Sequence, residues 1–259
     1  MSRYVFLGSI LPPLKVGEQP GIHFEEYMTL LRDNLDVSAM QKVKAIQTYI
    51  DLKNVESLLK KEPLDGRGNC SEKELDEALV NQEGLPNYLF DYLEGIDSVE
   101  EQLRHFSKIF ITFFREMEKK YSGFLKEYFR FEREWRALLA GYRAKKLGID
   151  PAKALQHENS HDPFVAEILA QKDTPFFEFP FEYQDLGEKL KNVQGDPKGQ
   201  HQVMMSYRFH RIEEMIEDIP FSLDRLLGYL VELMIVEDVH VLDEQRGSEN
   251  LDEMVKGNI

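Results

Sequence analysis

The 259-residue sequence predicts an all-α protein. Three observations point there. Apolar residues recur at steps of three and four through most of the chain, the spacing that lines one face of a helix. Capping signals stand ahead of several of these runs. Strand-like alternation has useful length only in "YVFLGSIL", residues 4–11, expected as a short extended segment before the Pro12-Pro13 turn.

The first helix is marked by Phe24, Tyr27, Met28, Leu31 and Leu35. A break at Asp36-Val37 leads to Ser38, with Gln41 three residues on, a capping-box spacing. Met40, Val43 and Ile46 then mark a second helix that runs on through Leu52, Val55, Leu58 and Leu59, until Pro63 and the turn Asp65-Gly66-Arg67-Gly68-Asn69. Ser71 with Glu74 is another capping box, opening a helix through Leu75 and Leu79. Gly84-Leu85-Pro86 breaks the chain again.

Ser98 with Glu101 opens the strongest pattern. Leu103, Phe106, Phe110, Phe113 and Met117 are followed by Phe124, Tyr128, Phe131, Trp135, Leu138 and Tyr142, with Ser122-Gly123 as a kink between them. A face this long and aromatic is a core or a helix–helix seam rather than a cofactor box. Asp150 then suits an N-cap and Pro151 the first helical position, and Asp162-Pro163 repeats that signal ahead of "PFVAEILAQ". Irregular chain follows in "DTPFFEFPFEY". Its phenylalanines Phe176, Phe177, Phe179 and Phe181 need burial, against the chain's own helices or against a partner. Helical spacing returns at Val203, Met204, Tyr207, Ile212, Met215 and Ile216. The last helix, from about Pro220, carries Leu226, Leu227, Leu230, Met234 and Leu242. The breaks suggest successive helical units at 1–96, 97–172 and 173–259, which can also pack as one domain.

Composition narrows the function classes. Net charge is −15, from 47 acidic against 32 basic residues, which disfavours nucleic acid and anionic lipid as direct ligands and favours basic protein surfaces. A single cysteine, Cys70, rules out an intramolecular disulfide and fits a reducing, cytoplasmic setting. The N-terminal apolar run is short, with no cleavage pattern after it, so no signal peptide is expected. No apolar segment approaches the ~20 residues needed to span a bilayer, and any membrane association is expected to run through a partner.

Few motifs carry chemistry. His157-Glu158-Asn159-Ser160-His161 spells H-E-x-x-H, the zinc-peptidase signature, in which two histidines one turn apart hold the metal and the glutamate activates water. Asp162-Pro163 opposes it. The residue before proline leaves the α region, so His161 falls in a joint between helices and the zinc assignment is rejected. Cys70 stands just ahead of a helix, where a dipole can lower a thiol's pKa, but no histidine accompanies it in sequence. Gly66-Arg67-Gly68-Asn69 lacks the Walker spacing and the preceding strand of a phosphate loop, and reads as a tight turn. Glu25-Glu26, Glu100-Glu101 and Glu213-Glu214 read as solvated faces. No cofactor and no catalytic residue is expected.

The chain echoes itself weakly. Tyr49–Lys60, "YIDLKNVESLLK", is followed by Phe129–Ala140, "FRFEREWRALLA", and by Tyr229–Gly247, "YLVELMIVEDVHVLDEQRG". Each puts an aromatic and a carboxylate on a helix with a Leu-rich face. Such elements resemble the helices with a "D/E…N…LLR" pattern that recur in the C-type (eukaryotic d-type) subunit of archaeal and V-type rotary ATPases. The stretches "YVFLGSILPPL", "LKNVESLLK" leading into "DGRGNCSEKEL", "DPFVAEILAQKD" and "LLGYLVELMIVEDVHVLDEQRGSENLDEMV" resemble more closely an uncharacterised bacterial family encoded within V-type ATPase operons. The resemblance spans the chain, although this chain is shorter than typical C-type subunits.

That resemblance implies helical bundles in an elongated or funnel-like arrangement and a non-enzymatic subunit on the cytoplasmic side of the membrane. Such a protein couples the central stalk to the membrane rotor ring, and other subunits of the motor are its partners. The residues expected to face a partner are Phe176, Phe177, Phe179, Phe181, Arg67 and Asn69. The alternatives are a stand-alone helical adaptor and, through His157, Glu158 and His161, a zinc hydrolase.

Overall fold

In the computed structural model residues 3–256 are described, and side chains from 4 to 241. The described residues form thirteen α-helices and no strand, as the periodicity predicts. They are α1 (Arg3–Ile10), α2 (Phe24–Asn34), α3 (Val37–Lys60), α4 (Glu72–Asn81), α5 (Asn87–Glu94), α6 (Val99–His105) and α7 (Ser107–Lys120). There follow α8 (Phe124–Lys146), α9 (Pro151–Ala154), α10 (Pro163–Leu169), α11 (Gln184–Asn192), α12 (Pro197–Ile216) and α13 (Leu223–Lys256).

The helices fall into two units. Residues 37–182 form a continuous one, and residues 1–36 with 183–259 form a composite one. These are not the three consecutive segments suggested by the sequence breaks. A cut at 96/97 would pass through a bonded joint, since the Gln102 side-chain amide donates to the carbonyls of Leu93 at 3.0 Å and Ile96 at 2.7 Å. A cut at 172/173 would separate two carbonyls that the Lys145 ammonium holds together, those of Lys172 and Thr174, each at 2.7 Å.

In the continuous unit α7 and α8 are joined by three residues, and Gly123 makes the turn with φ +62°, a conformation that favours glycine. Phe106, Phe110, Phe113, Phe124, Tyr128, Phe131, Trp135 and Leu138 are buried, as their spacing predicts. Phe114 and Phe129 lie off that stripe and are fully buried too. The reason is tertiary: α7, which carries Phe114, packs against α3, α5 and α8, and α8, which carries Phe129, packs against α7, α9 and α10, so each has more than one side covered. Tyr49 of α3 completes the cluster, edge-on to Phe110 with ring centroids 5.7 Å apart and 5.0 Å from Phe114. Edge-to-face rings of this kind add to the stabilisation from area burial.

Capping residues do what the sequence asks at three helices. Ser71 and Glu74 bond reciprocally, Asp150 accepts from the Ala152 amide at 2.9 Å, and Asp162 accepts from the Phe164 amide at 3.1 Å. Two expected boxes are corrected. Ser38 lies inside α3, which already begins at Val37, and Ser98 occupies the N-cap of α6 without a side-chain bond. The aromatic pattern is also interrupted at Phe106, where α6 ends and α7 begins.

In the composite unit residues 3–10 are helical, not extended. A short apolar segment with no neighbouring strand satisfies its backbone internally only as a helix. Leu7 is fully buried, and Gly8 lets α1 lie against the 220–221 turn, where a β-carbon would stand 3.3 Å from the Phe221 ring. Every residue from 226 to 236 of α13 is buried, so this helix is the centre of the unit, packed by α1, α2 and α12. Two tyrosines fasten it. Tyr27 of α2 donates its hydroxyl to the Leu226 carbonyl, and Tyr229 donates to that of Pro12, both at 2.8 Å. Leu226, Leu227, Leu230 and Met234 are core residues as expected, whereas the Leu242 side chain lies outside the described residues.

Candidate functional site

The H-E-x-x-H string occupies a joint. Helix α9 ends at Ala154 and α10 starts at Pro163, so His157 and His161 share no helix. The side chains of His157 and Glu158 turn to different partners. The His157 Nε2 stands 3.0 Å from Nδ1 of His105, and the Glu158 carboxylate is 3.2 Å from Arg115. The His161 amide donates to Oδ1 of Asn159 at 3.1 Å. Burial, with His105 and Lys108 close by, holds the His157 imidazole below its usual range. Among the described residues no group of three His, Cys, Asp or Glu side chains converges to hold a metal ion.

The joint is fixed to α7 and α8 through Arg133. This guanidinium is almost wholly buried and donates to Glu118 at 2.8 Å and to Asp162 at 3.0 Å, with Glu134 at 3.8 Å. Asp162 thus has two tasks: one oxygen caps α10 and the other pairs with Arg133. Burial pushes the neighbouring Glu134 carboxyl up to about 7, against the pull of Arg133 and Arg130.

A second assembly latches the loop after α3. Gln47, Asp51 and Asn54 recur at steps of four and three, which places them on one helix face, and all three are buried. Gln47 donates to the carbonyls of Arg67 and Gly68 at 3.0 and 3.1 Å. Asn54 exchanges two bonds with the Asp65 backbone, at 2.9 and 2.8 Å. Asp51 accepts from the amides of Asn69 and Cys70, at 2.8 and 3.1 Å, and from the Asn69 side chain at 2.7 Å. A β-carbon at Gly68 would collide with the Asp51 carboxylate, so only glycine permits this approach. Burial raises the Asp51 pKa even though these donors favour its charge.

The latch decides where Arg67 and Asn69 point. Arg67 forms a two-point ion pair with Asp65, at 2.9 and 2.8 Å, and the Asn69 amide is spent on Asp51, Thr48 and the Lys44 carbonyl. Both are bonded within the unit. Cys70 shows no sign of activation, because burial and the charges of Asp51 and Glu74 push its thiol up. Sequence singled out the loop but not Gln47. Its signal was present as a third polar residue on the helix face that carries Asp51 and Asn54.

The four phenylalanines of 176–181 divide by role. Phe177 packs edge-on to Phe179 at 5.1 Å and to Tyr142 at 5.8 Å, and beside Gly141, where a β-carbon would meet its ring. Phe176 and Phe181 point out, 79% and 83% exposed. The stretch is braced by Gln171, whose side chain donates to the Glu178 carbonyl at 2.7 Å and accepts from its amide at 2.8 Å.

In the composite unit Glu232 lies within the all-buried run of α13. Burial pushes its carboxyl from 4.5 up to about 7, with Arg225 opposing and Glu213 adding. The native state therefore holds this proton at pH values where the unfolded chain has released it, and stability from this group falls as pH rises from about 4.5 through 7. Glu232→Gln is expected to be about 3 kcal/mol more stable than the parent at pH 8 and close to it at pH 4.5, measured by urea unfolding. Equal stability at pH 8 would refute the assignment.

Among the described residues, three carboxylate side chains belong to residues exposed by no more than 3%: Asp51 at 2%, Glu132 at 2% and Glu232 at 3%. One lies in each of the three echoing stretches.

Comparison with known proteins yields full-length relatives. An uncharacterized protein of Chlamydia muridarum (strain MoPn / Nigg) is 28% identical over 263 residues, covering 99% of both chains. Uncharacterized proteins of Chlamydia trachomatis serovar D and Chlamydia pneumoniae are each 28% identical as well, across 99% of this chain and 99% and 98% of theirs. No solved structure matches. Residues 1–257 match the model of the family described as protein of unknown function (DUF2764), and the chain belongs to that family.

Proposed function

We propose that the chain is a non-catalytic subunit of a V-type ATPase or ATP synthase, on the cytoplasmic side, that couples the central stalk to the membrane rotor ring. The observation that carries this reading is the recurrence of one buried carboxylate on each of the three echoing helices, Asp51, Glu132 and Glu232. The C-type subunit, which the sequence resembles, repeats helices with an acid in the same Leu-rich setting. In the first echo the acid and the asparagine of "D/E…N…LLR", here Asp51 and Asn54, fasten the loop that follows, and that use gives the pattern a structural purpose. A transmitter of torque needs stiffness more than an active site, and latched loops and close-packed aromatic helices supply it.

None of the described helices is long and apolar enough to cross a membrane, so attachment to a rotor ring would run through protein contacts. The test is purification of the ATPase from native membranes. The chain should copurify with the catalytic subunits in constant ratio. Its consistent absence from an intact, active complex would overturn the proposal. A stand-alone adaptor is favoured by one observation, the outward Phe176 and Phe181. It would elute away from the ATPase when lysate is fractionated by size.

A further inference from the structure

We infer that the 171–182 loop is a preformed docking element for a protein surface with an apolar socket rimmed by lysine or arginine. The inference holds whether or not the partner belongs to an ATPase.

Exposure alone would not carry it. An apolar side chain on a surface is ordinary, and a floppy loop with two exposed phenylalanines would be expected to fold them inward. Here the backbone forbids that. Gln171 pins residue 178 from both sides, and Lys145 holds the carbonyls of Lys172 and Thr174. The Thr174 hydroxyl donates to the Phe176 carbonyl at 2.8 Å. Phe177 and Phe179 are seated on Tyr142. With those two rings anchored inside and the chain braced between them, Phe176 and Phe181 are held in water. Ordering of the loop, normally a cost of binding, is already complete. Four residues lie between the two phenylalanines, so their backbone positions are at most about 17 Å apart at full extension, well within the width of one ordinary interface.

Charge selects the occupant. From 171 to 182 the loop carries three exposed carboxylates, Asp173, Glu178 and Glu182, against one basic residue, Lys172, whose ammonium stands 3.7 Å from Asp150. An anionic membrane would repel this rim. A second copy paired through the same patch would set these carboxylates against their own equivalents, in a chain of net charge −15. A basic-rimmed apolar socket satisfies rings and carboxylates together.

The experiment places the photoreactive residue p-benzoylphenylalanine at position 176 or 181 of the full chain in its native host, with irradiation and sequencing of the cross-linked peptide. The expected product joins both positions to one other protein, at an apolar segment flanked by Lys or Arg. Its yield should fall about tenfold when Asp173→Lys and Glu178→Lys are combined. Cross-links to a second copy or to lipid, no cross-link, or a yield indifferent to charge reversal would each overturn the inference. Thermal melting guards against misfolding: Phe176→Ser with Phe181→Ser should leave Tm unchanged, whereas Phe177→Ser should lower it. A cross-link of the expected chemistry to a protein outside the ATPase would support this inference while refuting the function proposed above.

Discussion

Replacing Arg133 with methionine should destabilise the continuous unit by about 3 kcal/mol, the largest loss we expect from any single polar residue. Burial works against the charge of this guanidinium, and Glu118, Asp162 and Glu134 outweigh that penalty and raise its pKa. Methionine fills the space but leaves these carboxylates without their cation. Glu118 and Asp162 keep about a fifth of their side-chain surface, which lets water soften the loss and places it at the low end for a broken buried pair. Lysine would be a poor substitute, since it cannot meet two carboxylates from the fixed fork that Arg133 uses. Urea unfolding at pH 8 is the measurement. A loss under about 1 kcal/mol would show that the network is ornamental to stability.

Asp51→Ala comes second, at about 2–3 kcal/mol, and its signature is local. The substitution strips the acceptor from two backbone amides and one side-chain amide, each costly when left without a partner. Part of that cost is escaped if the loop swings out to water. Hydrogen exchange at Asn69 and Cys70 should therefore accelerate at least about tenfold, while amides in the middle of α8 change only as global stability does. Unchanged exchange at Asn69 would mean that Gln47 and Asn54 hold the loop alone.

The helices were legible because their cause is local: a period near 3.6 fixes which face is apolar, and caps and prolines mark the ends. The same local rules dissolved the zinc motif, since Asp162-Pro163 starts a helix whatever lies elsewhere. What escaped were facts that depend on distant chain. His157 meets His105, 52 residues away, and Arg133 reaches both Glu118 and Asp162. Phe114 and Phe129 are buried because α7 and α8 each have neighbours on more than one side, and no periodicity reports that. "YVFLGSIL" misled for a related reason: a short apolar run suits strand or helix alike, and only the surroundings choose. The phenylalanine loop was recognised as needing burial. Its division into two anchored and two presented rings rests on Tyr142 and Gln171, which sequence does not connect to it.

The composite unit draws its helices from both sides of the continuous one, and this imposes an order on biosynthesis. Residues 37–182 can complete their fold as they leave the ribosome, because their unit is one unbroken stretch of chain. Helices α1 and α2 emerge earlier yet must wait, since the centre they cover is α13, translated after all the other helices described. For that interval Leu7, Tyr27 and Leu31 have no native core to enter, so the nascent chain carries exposed apolar helices ahead of a finished unit. Among the described helices, α1 and α2 are thus the first made and, together with α13, the last to become stable.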